Sequence, residues 1–281
     1  TQTPEIHSGE YHFRIRDLVV PELLHSSNLG ANGFKTKFVF PFDHPKKSSR
    51  QATHEIAGAL QALDDATLLF LSNIFRISYV LPDGSEGQLE RVLPSDLQQA
   101  KSKGQQIEVI VHTPGSEPRK SSWLHYRQIV TIVDESTRKD CTVAMAFGLE
   151  EAEGRTKKSS WKVVPLHPGR VSIYFPAEKE TSNLRFHMHA PFASTVARDS
   201  VRDCEGNHQL LAALADLAAE SMVDIRDRGL LTVSALEVMP IDDDNLPRFY
   251  EPIREELVRA FVSQDLVPTR VGGHRASGEL F

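Results

Sequence analysis

FRISYVLPDGSEGQLERVL, residues 75–93, decides the fold class. Two strand-like runs, FRISYVL and GQLERVL, flank PDGSE, and the Asp83-Gly84 pair is a strong hairpin signal because glycine reaches positive φ without steric cost. Three more strand-like segments follow, QIEVIVHT at 106–113, WLHYRQIVTIVD at 123–134 and CTVAMAFGL at 141–149. The spacer EEAEGRTKKSS reads as a polar loop. Beyond it, Val171, Ile173 and Phe175 share one face of a strand over Arg170–Phe175, and Leu184, Phe186 and Met188 share one face of a strand over Leu184–Ala190.

Upstream of the hairpin, Tyr11–Arg16 and Phe34–Phe42 alternate as half-buried strands do, with the glycine-containing loop NLGANG between them. A proline-rich break at Pro41–Pro45 leads to Ser48 and Gln51, which stand at capping-box spacing. They predict a helix from about 49 to 63 with Ile56, Leu60 and Leu63 on one face. After residue 198 the pattern turns helical. Asn207 is the expected N-cap of a helix whose stripe is Leu210, Leu211, Leu214, Leu217 and Ala218, continued by Met222 and Ile225. A shorter helix is expected over Leu230–Met239. IDDDNLP is an acidic turn, and Pro247 opens a third helix with Phe249, Ile253, Leu257 and Phe261 facing the core. Strands, one helix, many strands and three helices make an α+β chain: a mixed, largely antiparallel sheet with helices on one side.

Composition narrows the function classes. The chain has 281 residues, 40% of them apolar and 25% charged, enough for one large core or two moderate ones. A net charge of −6, with Lys and Arg dispersed, argues against direct binding of nucleic acid, which needs a concentrated basic face. Cys141 and Cys204 stand far apart without partners at metal-ligand spacing, so neither a disulfide framework nor a metal site is expected. A reducing cytoplasm is the expected location. No apolar run approaches the roughly 20 residues needed to span a bilayer, so no membrane is expected. The chain opens on Thr1 and closes on GELF after VGGHRASG, and both ends read as cut from something longer.

The richest local chemistry lies in PFASTVARDSVRDCEGNHQLLAAL, residues 191–214. A Ser/Thr loop with an Arg-Asp pair runs directly into the start of an apolar helix. A guanidinium held at such a junction suits a phosphate, because its planar fork stays charged and pairs bidentately with phosphate oxygens.

These segments together resemble the sacsin-like branch of the GHKL ATPases, the group that also holds DNA gyrase B, MutL and heat-shock protein 90. Pro4, Glu5, Ile6, Ser8, Phe13 and Ile15 take the places of the strand that follows the second glycine box in that family. Gly33-Phe34 through Phe38-Val39-Phe40-Pro41 resembles the closing strand of its ATP-binding domain, and LLFLSNIFRI the start of its transducer domain. The resemblance divides the chain into 1–45, terminal strands of an ATP-binding fold; 46–200, a transducer-like middle domain; and 201–281, a helical extension.

What the resemblance implies is a role in coupling nucleotide state to a chaperone-like or remodelling module. Arg198 takes the place of the family's γ-phosphate-sensing arginine, with Asp199 to orient it. Ser194, Thr195 and Arg202 are the neighbouring phosphate contacts, Arg202 being the fallback cation, and Lys35 and Lys37 edge the nucleotide site. ATP and Mg would be held mainly by residues outside these 281, because the Glu/Asn helix and the Asp-x-Gly-x-Gly turn of the family are absent; the chain alone is expected to be inactive. The implied partners are ATP through an upstream domain, a protein client and a second copy in a homodimer. The alternative is a nucleotide-free binding or assembly scaffold of the same fold.

Plainer roles stand beside these. Arg198 could simply pair with Asp199 or Asp203 on the surface, and Lys35 and Lys37 could simply solubilise a strand. His187 and His189 alternate on the polar face of a strand and are expected in solvent. Asp242, Asp243 and Asp244 lack the glycine and glutamate offsets of a calcium loop and read as a solvated turn. His54 and Glu55 sit on an exposed helical turn without a role.

Overall fold

The computed structural model describes residues 5–8, 11–14, 46–93, 104–134, 137–152, 161–196 and 199–279. Its contacts group the chain into two compact units, 1–60 and 61–281. In the first, β1 (Glu5–Ser8) and β2 (Tyr11–Arg14) pair antiparallel with Ile6 opposite Phe13. Helix α1 (Ser49–Gln61) starts on the expected capping box: Ser48 N donates to Gln51 Oε1 at 3.0 Å, and Gln51 N donates to Ser48 Oγ at 3.3 Å. No residue of α1 is buried, so the face carrying Ile56 is not the core face that its spacing predicts. The predicted strand 34–42, with Lys35 and Lys37, lies outside the described residues.

The second unit is built on a nine-stranded sheet. After the short α2 (Ala66–Leu69) come β3 (Arg76–Val80), β4 (Glu86–Val92), β5 (Gln105–His112), β6 (Arg119–Asp134) and β7 (Thr137–Glu151), an antiparallel meander. The Asp83-Gly84 turn closes β3 on β4 as predicted: Gly84 has φ +84°, Leu81 N donates to Ser85 O at 2.8 Å, and Asp83 Oδ1 accepts from Ser85 N at 2.9 Å. Next come β8 (Trp161–Val164), β9 (Arg170–Ile173), β10 (Phe175–Thr181) and β11 (His187–His189). The strand order is β10-β9-β11-β7-β6-β5-β4-β3, with β8 also on β7, and β9–β11 is the one parallel pair among the described strands.

The long helices α3 (Glu205–Asp227) and α4 (Glu251–Ser263) form one core with one face of β6, β7, β9 and β11. Along β6 and β7 the alternation sends Leu124, Tyr126, Val143, Met145 and Phe147 into that core. The predicted stripe of α3 is buried throughout, from Leu210 to Ile225. The fold is thus α+β with a mostly antiparallel sheet. The opposite face is not bare, for α2 and Phe70 cover part of it: Phe70 stacks on His189 at 5.5 Å and lies 5.7 Å from His125. A small hairpin, β12 (Val267–Pro268) with β13 (His274–Arg275), follows α4.

Several local expectations are corrected. His187 and His189 are buried, at 6% and 4% exposure, because β11 runs inside the sheet and its second face is roofed by Phe70 and Trp123. The strand expected over Arg170–Phe175 breaks at Tyr174, φ +69°, which turns β9 into β10 and leaves Phe175 exposed. Asn207 is not the N-cap; Cys204 is, and Asn207 is buried in the first turn. The helix expected over Leu230–Met239 is a 3-10 segment at Ser234–Val238. A 3-10 turn at Arg248–Tyr250 precedes α4, whose first turn carries its own proline. The acidic turn is only partly solvated, since Asp244 pairs with Arg185 and accepts from Ile241 N at 2.7 Å.

Candidate functional site

The loop between β11 and α3 is a pinned structure. Phe192 is buried, with its ring 6.2 Å from that of Phe249, and Val201 packs against the core from the returning side. Between these anchors the backbone closes on itself. Ser194 and Val201 form an antiparallel bridge, Thr195 N donates to Ser200 O at 3.2 Å, and Arg202 N donates to Ala193 O at 2.9 Å.

Two side chains lock this base. The Asn207 amide accepts from Ala193 N at 2.8 Å and donates to Ala193 O at 2.9 Å and Arg202 O at 2.6 Å, tying both ends of the loop to the first turn of α3. Glu180 accepts from Val201 N at 2.7 Å through Oε2 and from the buried Tyr250 hydroxyl at 2.8 Å through Oε1, linking the loop to β10 and to the approach of α4. Burial and the Glu180 carboxylate together raise the Tyr250 hydroxyl far above its ordinary range, so it stays a donor. Lys179 N also donates to Asp199 O at 2.9 Å, which sets the loop alongside β10.

The expected site residues divide as follows. Arg198 lies outside the described residues, as do Lys35 and Lys37. Asp199 is described: Oδ2 pairs with Lys179 Nζ at 2.5 Å and Oδ1 accepts from Thr195 Oγ1 at 2.7 Å. These two bonds hold its carboxyl below the usual carboxylate range, the Lys179 bond being the larger cause. Thr195 therefore directs its hydroxyl at Asp199 and serves the loop's own geometry. Ser194 sits in the bridge at the loop base. Arg202 is exposed, and among the described residues no carboxylate pairs with it. Lys179, Glu180 and Tyr250 belong to the same cluster without any signal in the local sequence, since each acts across the fold. Asn207 carried one, an amide three residues into a helix, but its true partners lie 14 and five residues earlier.

Among the described residues no group of three or more His, Cys, Asp or Glu is placed to hold a metal ion. The base of the loop is tied before any ligand arrives, because the backbone groups of Ala193, Val201 and Arg202 already have partners. No helix among the described residues is long and apolar enough to cross a membrane. Comparison with protein-family models, with curated proteins and with solved structures gives no match to this chain.

Proposed function

We propose that this chain is the coupling part of a GHKL-type ATPase of the sacsin and heat-shock protein 90 kind, delivering Arg198 to the terminal phosphate of a nucleotide held by another domain. The observation that supports the reading is the held base of the loop: Asn207 ties Ala193 to Arg202, and Glu180 holds Val201. A guanidinium on such a base loses little further freedom on meeting phosphate, and its fixed fork stabilises charge that grows on the transferred phosphoryl group.

ATP and Mg2+ would be held by residues beyond these 281. The nucleotide supplies the phosphoanhydride bond and the metal ion neutralises its charge. This chain's part is to bring a cation on a rigid loop and to link that loop, through α3, to the rest of the sheet. Arg202, exposed and without a carboxylate partner among the described residues, is the second cation of the loop. Asp199 acts by holding the loop to Lys179 and Thr195.

Two experiments test the reading. The sequence encoded before Thr1 should contain a helix with Glu and Asn followed by Asp-x-Gly-x-Gly; a different upstream sequence overturns it and leaves the nucleotide-free scaffold. In the polypeptide carrying that segment, Arg198→Ala should lower kcat for ATP hydrolysis by roughly a thousandfold, the scale on which an arginine of this kind acts. The Kd for ATP should stay within about threefold, because the contact belongs to the transition state. Unchanged turnover sinks the assignment.

A further inference from the structure

A cavity of about 210 Å3 opens on the sheet face opposite α3, between α2, β4, β5, β6 and β11. Its charged and aromatic lining is Arg91, Arg127, His125, His189, Phe70 and Phe75. Three observations about these groups do not fit a purely structural role.

The first is an excess of positive charge. Arg91 and Arg127 both line the cavity, and among the described residues neither has a carboxylate partner. Arg91 is half-buried, and its protonated form is disfavoured first by that burial and then by the charge of Arg127. Two cations facing one space with no anion between them raise each other's energy.

The second is unused hydrogen-bonding capacity. Arg91 Nη1 donates to Leu68 O at 2.9 Å and Leu69 O at 3.3 Å, and its Cζ lies 4.8 Å over the Phe75 ring. That fixes the guanidinium plane; among the described residues no hydrogen bond uses Nε or Nη2, the pair of donors that grips an oxyanion side-on.

The third is an orphan. His125 Nε2 is fully enclosed and has no hydrogen-bond partner, although burial of an unpaired ring nitrogen costs about 1–3 kcal/mol. Burial, with the charges of Arg91 and Arg127, lowers the His125 pKa to about 4, so the ring is neutral at pH 7 and carries one N–H.

We propose that this cavity is a binding site for a small organic oxyanion, a phosphate or carboxylate on a compact apolar or aromatic body. The charged group sits between Arg91 and Arg127 beside the His125 ring, and the body rests on Phe70 and Phe75. The volume is adequate, since an apolar cavity of about 150 Å3 holds a benzene ring. The site is separate from the loop base, since none of the described residues of 193–202 lines it.

Isothermal titration with phenyl phosphate, benzoate and inorganic phosphate tests this at low ionic strength. At least one of the two aromatic anions should bind with a Kd below about 1 mM, and the better of them identifies the oxyanion. Inorganic phosphate, lacking the body, should bind at least about tenfold more weakly. Arg127→Gln, on an exposed side chain, should lower the affinity at least about tenfold without lowering Tm, because it removes one charge-assisted contact to the ligand and a charge that repels Arg91 in the free protein. Arg198→Ala should leave the affinity unchanged, so a failure of the coupling role and a failure of this site are told apart. If neither aromatic anion binds at about 10 mM, or if Arg127→Gln leaves the affinity intact, the proposal is overturned.

Discussion

Asn207 is joined to Ala193 through both backbone polar groups of the alanine: Oδ1 accepts its N–H at 2.8 Å and Nδ2 donates to its carbonyl at 2.9 Å. Its amide thus mimics the edge of a neighbouring strand, and a third bond to Arg202 O makes it the clasp of the loop. The buried side chain sits in the first turn of α3 and so ties the base of the loop to that helix.

Asn207→Ala leaves the Ala193 N–H and the Arg202 carbonyl without their partner, while the Ala193 carbonyl keeps the bond from Arg202 N. The expected destabilisation is about 2–4 kcal/mol, since each part-buried group left unsatisfied costs about 1 kcal/mol or more. Amide hydrogen exchange at Ala193 and Arg202 should accelerate beyond what global stability explains. Asn207→Asp keeps the acceptor for Ala193 N–H but sets its second oxygen against the Ala193 and Arg202 carbonyls in a buried site, and should destabilise at least as much as Asn207→Ala. Equal stability of all three in urea melts would show that the clasp is not formed in solution.

Tyr250→Phe removes the hydroxyl that holds Glu180 Oε1 and leaves the ring in place. The loss should be about 1–2 kcal/mol, a hydrogen bond to a charged group in a buried setting. Because Glu180 also receives Val201 N–H, the effects of Tyr250→Phe and Glu180→Gln should not add; a double-mutant cycle should show coupling of about 1 kcal/mol. Additivity within error would mean that the two bonds act independently and that α4 has no purchase on the loop.

The local features of this chain were legible and the long-range ones were not. Asp83-Gly84, the Ser48–Gln51 box and the leucine stripe of α3 are each decided within a few residues, and each appears as read. Alternation correctly paired Leu184, Phe186 and Met188 on one face of the β11 segment. It could not say that the other face is dry as well, because that depends on Phe70 and Trp123 arriving from other parts of the chain. The positive φ of Tyr174 is of the same kind: a tyrosine carries no local reason to leave the β region, and the break is imposed by the pairing of β10 back onto β9. The loop at 193–202 was visible as chemistry, yet its clasp was hidden, since an asparagine before an apolar helix reads first as a cap.

Gly169 is required for packing rather than for its backbone angles. A Cβ there would lie 2.2 Å from Phe186 O and 2.5 Å from Leu184 O, both backbone atoms that cannot rotate away. The approach is held by Gly169 N donating to Leu184 O at 2.8 Å and Leu166 N donating to Arg185 O at 2.9 Å. Gly169→Ala must push the segment leading into β11 off β9 and should cost about 3 kcal/mol or more, as overpacking against rigid neighbours does. Gly115→Ala, at an exposed turn with open space around the new methyl, is the control and should cost only about 1 kcal/mol from its positive φ. Similar melting curves for the two variants would contradict the close approach.

The buried His187 and His189, with the partly buried His125, predict acid lability in a defined window. His187 Nδ1 accepts from Arg170 N at 2.8 Å while the ring stacks on Trp123 at 5.1 Å, so protonation would set two donors against each other and bury a charge. Burial lowers the pKa of His187 to about 4; the nearby Asp65 opposes the shift and Arg170 adds to it. His189 is lowered to about 4 by burial, against its bond to Ser172 O. His125 falls to about 4 through burial and the charges of Arg91, Arg127 and His189. For each, the unfolded chain binds a proton near pH 6.5 that the folded chain refuses until about pH 4, so stability is complete above 6.5 and declines as pH falls through that window. The slope should approach about 1.4 kcal/mol per pH unit for each histidine, or about 4 kcal/mol per unit for all three. Urea midpoints measured between pH 7 and pH 5, where most carboxylates remain ionised in both states, isolate the effect. His187→Asn, which can still offer Arg170 N an acceptor, should lower the slope by about one proton. A midpoint that stays level down to pH 5 would mean these rings are hydrated in solution and the second face of β11 is open.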